Sequence, residues 1–317
     1  MGDHMEKLVC VVGPTASGKT ALAVALAKAY GGEIISADSM QLYRGMDIGT
    51  AKPDEEERAG IPHHMLDIID PSEEYSAARY AEEARVCVDG IRARGHLPIA
   101  AGGTGLYINA LLGRVWFERE DSDPAYRDEL RAYAGTYGND ALYQKLAALD
   151  PAYAATVHPN NVRRVIRGLE IIRVSGKPVS ERLTYAREMP LAYEPVIIGL
   201  CPDNRETLYR RIDRRVDAML AAGLWDEAAR LHIRSLSDTA KQAIGYKELF
   251  AYFEGACTRE EAVGQLKLNT RRYAKRQLTW FRADPQVQWI YYPEDVNFHL
   301  ILQKLRDILK TYGIIEP

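Results

Sequence analysis

Cysteine is scarce and scattered. The 317 residues hold four, at Cys10, Cys87, Cys201 and Cys257, with no CxxC pair and no Cys/His cluster at zinc spacing. That excludes a disulfide framework and a structural zinc site, and it suits a reducing cytoplasm. Long apolar runs are missing as well. Nothing approaches the roughly 20 residues that span a bilayer, and the charged head and greasy stretch of a signal peptide are not seen. No membrane partner is expected. Nor is positive charge in excess: the net charge is −3, so any affinity for nucleic acid must come from local clusters. Internal repeats and low-complexity linkers are also absent.

What is present is the balance of a globular enzyme, with 47% hydrophobic and 27% charged residues. The length allows roughly two domains at about 100–200 residues each. The opening "MGDHM" is set aside from fold reasoning. Apolar runs at 7–12, 33–38, 64–70, 97–102, 196–201 and 287–292 read as strands. Helical patterns at 18–30 and 76–95 alternate with the first of them. Strands of this kind, alternating with helices, predict a parallel sheet covered on both faces. Residues 118–188 break the pattern with three successive helical segments, which predicts an all-helical insertion. After 196–201 the chain reads as helix over 204–222, 225–234, 241–253, 259–282 and 295–311. "DEEE" (54–57) is a solvated loop or the start of a helix.

"GPTASGKT" matches GxxxxGK[ST] in full, after a strand and before a helix. Gly13, Pro14, Thr15, Ala16, Ser17, Gly18, Lys19 and Thr20 form the candidate phosphate loop. Its glycines let backbone N–H groups curl toward phosphate oxygens, and the helix N-terminus adds positive charge. Lys19 would neutralise phosphate, and the Thr20 hydroxyl would ligate Mg²⁺. Such a loop holds a di- or triphosphate without saying what happens to it. The base-reading motif of GTPases, [NT]KxD, is missing. Asp38 and Asp70 are candidate carboxylates beyond strands, although the polar residues of "ISADSMQLY" fit a Walker B motif poorly. In the alternative reading, Asp38 caps a helix that starts in "DSMQ".

"AGGTGLY" (101–107) is a second glycine turn after a strand. Its spacing favours a tight strand–helix turn with Thr104 as N-cap, although paired glycines also admit a ligand. The loops at Gly13, Asp38 and Gly102 all follow strand ends and should lie side by side, where ligands of such sheets bind. Arg211 and Arg215 share a helix face at i,i+4. One of them could reach a diphosphate, or both could pair with Asp213 and Asp217. Two basic helices stand out. "VRRVIRGLEIIR" carries Arg163, Arg164 and Arg167. "KLNTRRYAKRQLTWFR" carries Lys267, Arg271, Arg272, Lys275, Arg276 and Arg282, with three aromatics and no acid. Basic helices with interleaved aromatics fit phosphate-backbone contact and base stacking, and a solvated face is the plainer reading.

"GPTASGKT", "IISADSMQLYRGMDIGTAKP", "HHMLDIIDP", "AGGTGLYINALL", "QAIGYKE" and "RRYAKRQLTWFR" resemble, in order, the bacterial tRNA dimethylallyltransferases, from about residue 8 to 290. The second block is the most specific. The eukaryotic members add a C-terminal zinc finger, for which this chain has no Cys/His cluster. The resemblance implies an α/β fold with a P-loop NTPase-like parallel sheet and an all-helical insertion. It puts the core at 1–117 and 189–317 and the insertion at 118–188. It implies transfer of a dimethylallyl group from dimethylallyl diphosphate to N6 of the adenine 3′ of the anticodon, nucleotide 37. Asp38 would be the general base, Thr104 would help position the reacting centre, and Arg215, with Arg211 in reserve, would reach the diphosphate. Asp38, Ser39, Met40, Gln41 and Thr104 would line the place where the flipped base arrives. Arg127, Arg163, Arg164 and Arg167 match RNA-contacting positions of the insertion. Gln242, Gly245, Tyr246 and Lys247, with Arg271, Arg272, Lys275 and Arg276, match others in the core. Mg²⁺ is the implied cofactor, and a monomer is expected. The competing readings are an isopentenyltransferase acting on free AMP, ADP or ATP, a small-molecule P-loop kinase, and a non-catalytic RNA-binding protein.

Overall fold

The computed structural model describes residues 5–117 and 123–316. Its centre is a parallel sheet of β1 (Lys7–Val12), β2 (Gly32–Ser36), β3 (His63–His64), β4 (Leu97–Gly102), β5 (Glu194–Pro202) and β6 (Gln288–Tyr292). The strands lie in the order β3-β2-β4-β1-β5-β6. The pleat explains why β1 is apolar from Leu8 onward. Leu8, Cys10 and Val12 enter one buried layer, and Val9 and Val11 enter the other. The first layer is closed by α3 (Ala77–Ala93) and α4 (Gly105–Leu111), the second by α1 (Lys19–Tyr30) and α15 (Phe298–Thr311). A sheet covered on both faces needs such strands. No helix among the described residues is long and apolar enough to cross a membrane.

The chain divides into two compact units, Met1–Leu112 with Tyr193–Pro317, and Gly113–Ala192. In the second unit, three expected helical segments become five helices: α5 (Pro124–Tyr137), α6 (Asn139–Leu149), α7 (Pro151–Ala154), α8 (Val162–Ser175) and α9 (Val179–Glu188). They bury their own core of Leu130, Leu142, Leu146, Val165, Ile166 and Leu169 around Tyr153. The expected boundary at 117/118 touches residues outside the described ones.

Two expectations need correction. The strand expected at 64–70 stops after His64, because Met65 and Asp67 take positive φ of 61° and 55°. Ile69 then makes only an isolated bridge to Tyr43. The helix expected at 241–253 starts only at Lys247, as α13 (Lys247–Phe253), and a short α12 (Asp238–Lys241) precedes it. Gly245 between them, at φ 106°, leaves helical conformation. "DEEE" does start a helix, α2 (Glu55–Arg58), closed by a capping box between Asp54 and Glu57. The remaining helices, α10 (Arg205–Ala221), α11 (Leu224–His232) and α14 (Arg259–Arg282), pack in the first unit.

Candidate active site

The strand order sets β2, β4 and β1 next to each other, so the loops after them meet at one edge. The β1 loop curls tightly. Ser17 N–H donates to Pro14 O at 3.3 Å, and Ala16 holds φ at 62°. Gly13 is required by close approach, since a Cβ there would lie 2.4 Å from Leu200 O. The Ser17 hydroxyl is buried without a partner among the described residues. Lys19 Nζ reaches back across the loop to Pro14 O at 3.2 Å. Burial, then the nearby Arg215 charge, pull the Lys19 ammonium down to about 8, and Asp38 opposes them.

Asp38 lies two residues past the end of β2 and caps no helix. Its Oδ1 accepts from Met40 N at 3.0 Å in a local turn. Thr104 holds the expected N-cap position of α4, but its side chain makes no cap bond. The Thr104 hydroxyl turns to the neighbouring loop instead, accepting from Ser39 N at 3.0 Å. Thr104 N in turn donates to Ala37 O at 3.1 Å. The second glycine turn is therefore bonded to the Asp38 loop.

Helix α10 supplies the cations. Arg211 Nε donates to Ala16 O at 2.8 Å. Arg215 lies within electrostatic reach of Lys19 and Asp38. Burial lowers its proton affinity, and Glu57 and Asp38 restore part of it. The alternative, in which both arginines pair with acids of their own helix, is not realised. Asp213 and Asp217 bind Arg271 and Lys267 of α14.

Helix α14 contributes Tyr273 and Gln277, which the sequence reading places in the 270–277 stretch matched to RNA contact and gives no role at the glycine loops. Gln277 is 4% exposed and touches both glycine loops. It accepts from Thr15 N at 2.9 Å and donates to Gly103 O at 3.0 Å. Tyr273 is one turn earlier, where burial and the Asp38 charge raise its phenol and the Thr104 and Gln277 side chains oppose them. A Cβ at Gly103 would lie 2.0 Å from Gln277 Nε2, and one at Gly105 2.1 Å from the Trp280 ring. Gly103 and Gly105 thus make room for α14, and Gly102 for the backbone of Ala37. The one available signal was the placement of Tyr273 and Gln277 at i,i+4 within a basic run.

The expected RNA-contacting residues divide by what the protein itself engages. Arg163 and Arg164 are exposed on α8, and Arg272, Lys275 and Arg276 are exposed on α14. Others are held by acids or backbone of the protein, Arg167 while still 45% exposed. Arg127 and Arg167 bind the buried carboxylate of Glu170 at 2.6 and 2.7 Å. Arg271 binds Asp213. The Tyr246 side chain is fully buried, which leaves it no surface to offer an RNA, contrary to expectation. Its hydroxyl donates to Glu227 at 2.7 Å. Glu227 also accepts from the backbone of Asp47, Ile48 and Gly49, so "QAIGYK" and "GMDIGT" are packed through one buried acid. Gly245 N donates to Glu248 at 2.9 Å, while Gln242 is exposed and Lys247 partly so. Gln41 is held by Ser36 at 2.9 Å and by Ala51 O at 3.1 Å. Ser39 and Met40 stay partly open beside Asp38.

The sheet, the loop at Gly13 and the helical insertion define a P-loop type α/β protein. Comparison with known proteins narrows this. A family model described as IPP transferase matches residues 41–284, and one described as Isopentenyl transferase matches residues 6–70. The tRNA dimethylallyltransferase of Shouchella clausii is 52% identical over 292 residues, 91% of this chain and 92% of its own. That of Bacillus subtilis is 50% identical over 301 residues, 95% of each chain. Among solved structures, the full-length tRNA isopentenylpyrophosphate transferase from Bacillus halodurans superposes with a TM-score of 0.72 at 48% identity, over 98% of this chain and 96% of that one. A eukaryotic dimethylallyltransferase acting on tRNA gives 0.78 at 30% identity, over 98% and 78%. The chain belongs to the IPP transferase family.

Proposed function

We propose that the protein transfers the dimethylallyl group of dimethylallyl diphosphate to N6 of adenine 37 in tRNA and releases diphosphate. The observation that carries this reading is the bonding of the phosphate loop to the Thr104 turn through Gln277, and of that turn directly to the Asp38 loop, at one edge of the sheet. A leaving-group cradle and a carboxylate thereby face one space. In the reaction, N6 bonds to the first prenyl carbon as its C–O bond breaks, and the electron pair leaves with the diphosphate. The N6 proton passes to Asp38. An exocyclic adenine amine is a weak nucleophile, so a positioned base matters. Lys19, Arg215 and the loop N–H groups stabilise the departing charge.

The donors present suit Mg²⁺. Among the described residues no group of three or more His, Cys, Asp or Glu could hold a metal, so there is no all-protein cage. Mg²⁺ commonly takes one or two protein oxygens together with substrate phosphates, and the Thr20 hydroxyl at the start of α1 would be one of them. When bound, the ion would neutralise charge on the diphosphate.

The exposed arginines of α8 and the exposed basic residues of α14 support tRNA over a free adenylate as acceptor. The widely spaced cysteines suit the cytoplasm. The deciding experiment offers labelled dimethylallyl diphosphate to unmodified tRNA and to AMP in separate reactions. Label in tRNA alone is expected. Label in AMP would replace the acceptor, and ATP-dependent phosphoryl transfer without prenyl transfer would replace the reaction.

A further inference from the structure

We infer that Gln277 is a positioning residue for this transfer, its carboxamide setting the distance between the phosphate loop and the Thr104 turn. The inference rests on the function proposed above. Gln277 comes from α14, yet both ends of its buried amide are used on the two loops, at 2.9 Å to Thr15 N and 3.0 Å to Gly103 O. Only one amide orientation satisfies both partners, because the reverse sets carbonyl against carbonyl and N–H against N–H. The connection then continues through the chain to Thr104, from its hydroxyl to Ser39 N, and to Asp38 beside it. One end of this path holds the leaving group and the other holds the base. Displacement at carbon needs attacking nitrogen, carbon and leaving oxygen in line, and small misplacements are costly.

The two side chains nearest to glutamine do not fill this place. Asparagine is one methylene shorter. Glutamate keeps the acceptor for Thr15 N but sets a carboxylate against Gly103 O. Gly103 has no Cβ because the Gln277 amide occupies that space. The outer face of the same helix presents Arg272, Lys275 and Arg276 to solvent. Gln277 is thus the buried counterpart of a face expected to meet RNA.

The test is steady-state kinetics with dimethylallyl diphosphate and tRNA on Gln277→Ala and Gln277→Glu, alongside thermal melts. Both variants are expected to lose about 10–100-fold in kcat while each KM moves by less than about threefold. Glutamate serves where alanine fails to fold, because it keeps the bond to Thr15. The double variant Thr104→Ala/Gln277→Ala should lose scarcely more than Thr104→Ala alone, since Gln277 acts through that turn. Unchanged kcat in a folded variant would overturn the inference. So would additive losses, or a defect confined to KM for the diphosphate. A wild-type protein inert toward both substrates would instead refute the proposed function itself.

Discussion

Lys19 is under opposed influences. Burial and the Arg215 charge lower its ammonium to about 8, against 10.5 ordinarily, and Asp38 resists. An incoming diphosphate would add negative charge and favour the protonated form. Binding should therefore take up a proton, and affinity should fall once the free protein loses it. KM for dimethylallyl diphosphate is expected to rise from about pH 8 upward, by at most about tenfold per pH unit. Lys19→Ala should flatten that rise in a KM–pH profile, and an equally steep profile in the variant would assign the titration elsewhere. Asp38 is the other residue to test. Asp38→Asn keeps an oxygen for the Met40 N–H and so preserves the turn. Turnover should drop roughly 10²–10⁴-fold with tRNA affinity nearly unchanged. Equal loss of binding and turnover would argue against a base.

At the scale of elements, α8 and α14 each have one bound face and one open face. On α8, the buried Glu170 pairs with Arg127 of α5 and with Arg167, which itself stays 45% exposed, while Arg163 and Arg164 are exposed. Changing Arg163 and Arg164 to alanine should weaken tRNA binding and reduce the slope of log affinity against log salt by about 1–2. A binding titration across salt concentrations reads this directly, and an unchanged slope would remove that face from the RNA site. On α14, Lys267 and Arg271 belong to the contact with α10 through Asp217 and Asp213. A run of six basic residues without an acid thus divides into residues that hold the fold and residues left to a ligand.

At the scale of the whole molecule, the two ends of the sheet have different tasks. The carboxyl ends of β1, β2 and β4 carry the candidate site. Near their amino ends lies Glu33, 3% exposed, gathering Arg94, His64 and His96. It ties α3 and β3 to the strands between them. The Arg94 hydrogen bond, and less strongly those of the two histidines, outweigh burial and hold the carboxyl at about 2 rather than 4.5. A depressed carboxyl contributes stability that is complete above its unfolded value and fades as pH falls toward the folded one. Wild-type stability should therefore decline between about pH 4.5 and pH 2. Glu33→Gln should start about 2 kcal/mol lower at neutral pH and decline less over that window. Denaturant unfolding of both proteins at neutral and acid pH checks it, and parallel curves would locate the acid sensitivity elsewhere.

The sequence by itself determined the parallel sheet, the curled loop at Gly13 and the helical character of the insertion. Those features rest on local pattern: a buried strand must be apolar on both faces, and a curled loop must have its glycines. Short elements escaped the same reading. The break at Met65 and Asp67 and the gap at Gly245 depend on single backbone angles that a run of apolar residues does not reveal. Contacts between distant segments were decided only by the tertiary structure. It turned the Thr104 hydroxyl from a cap into a bond with Ser39, buried Tyr246 against Glu227, and split the basic residues of α14 between Asp213, Asp217 and water. It also set Gln277 between two loops far from it in sequence. A side chain's partner is fixed by which elements the core brings together, and at the site those elements come from opposite ends of the chain.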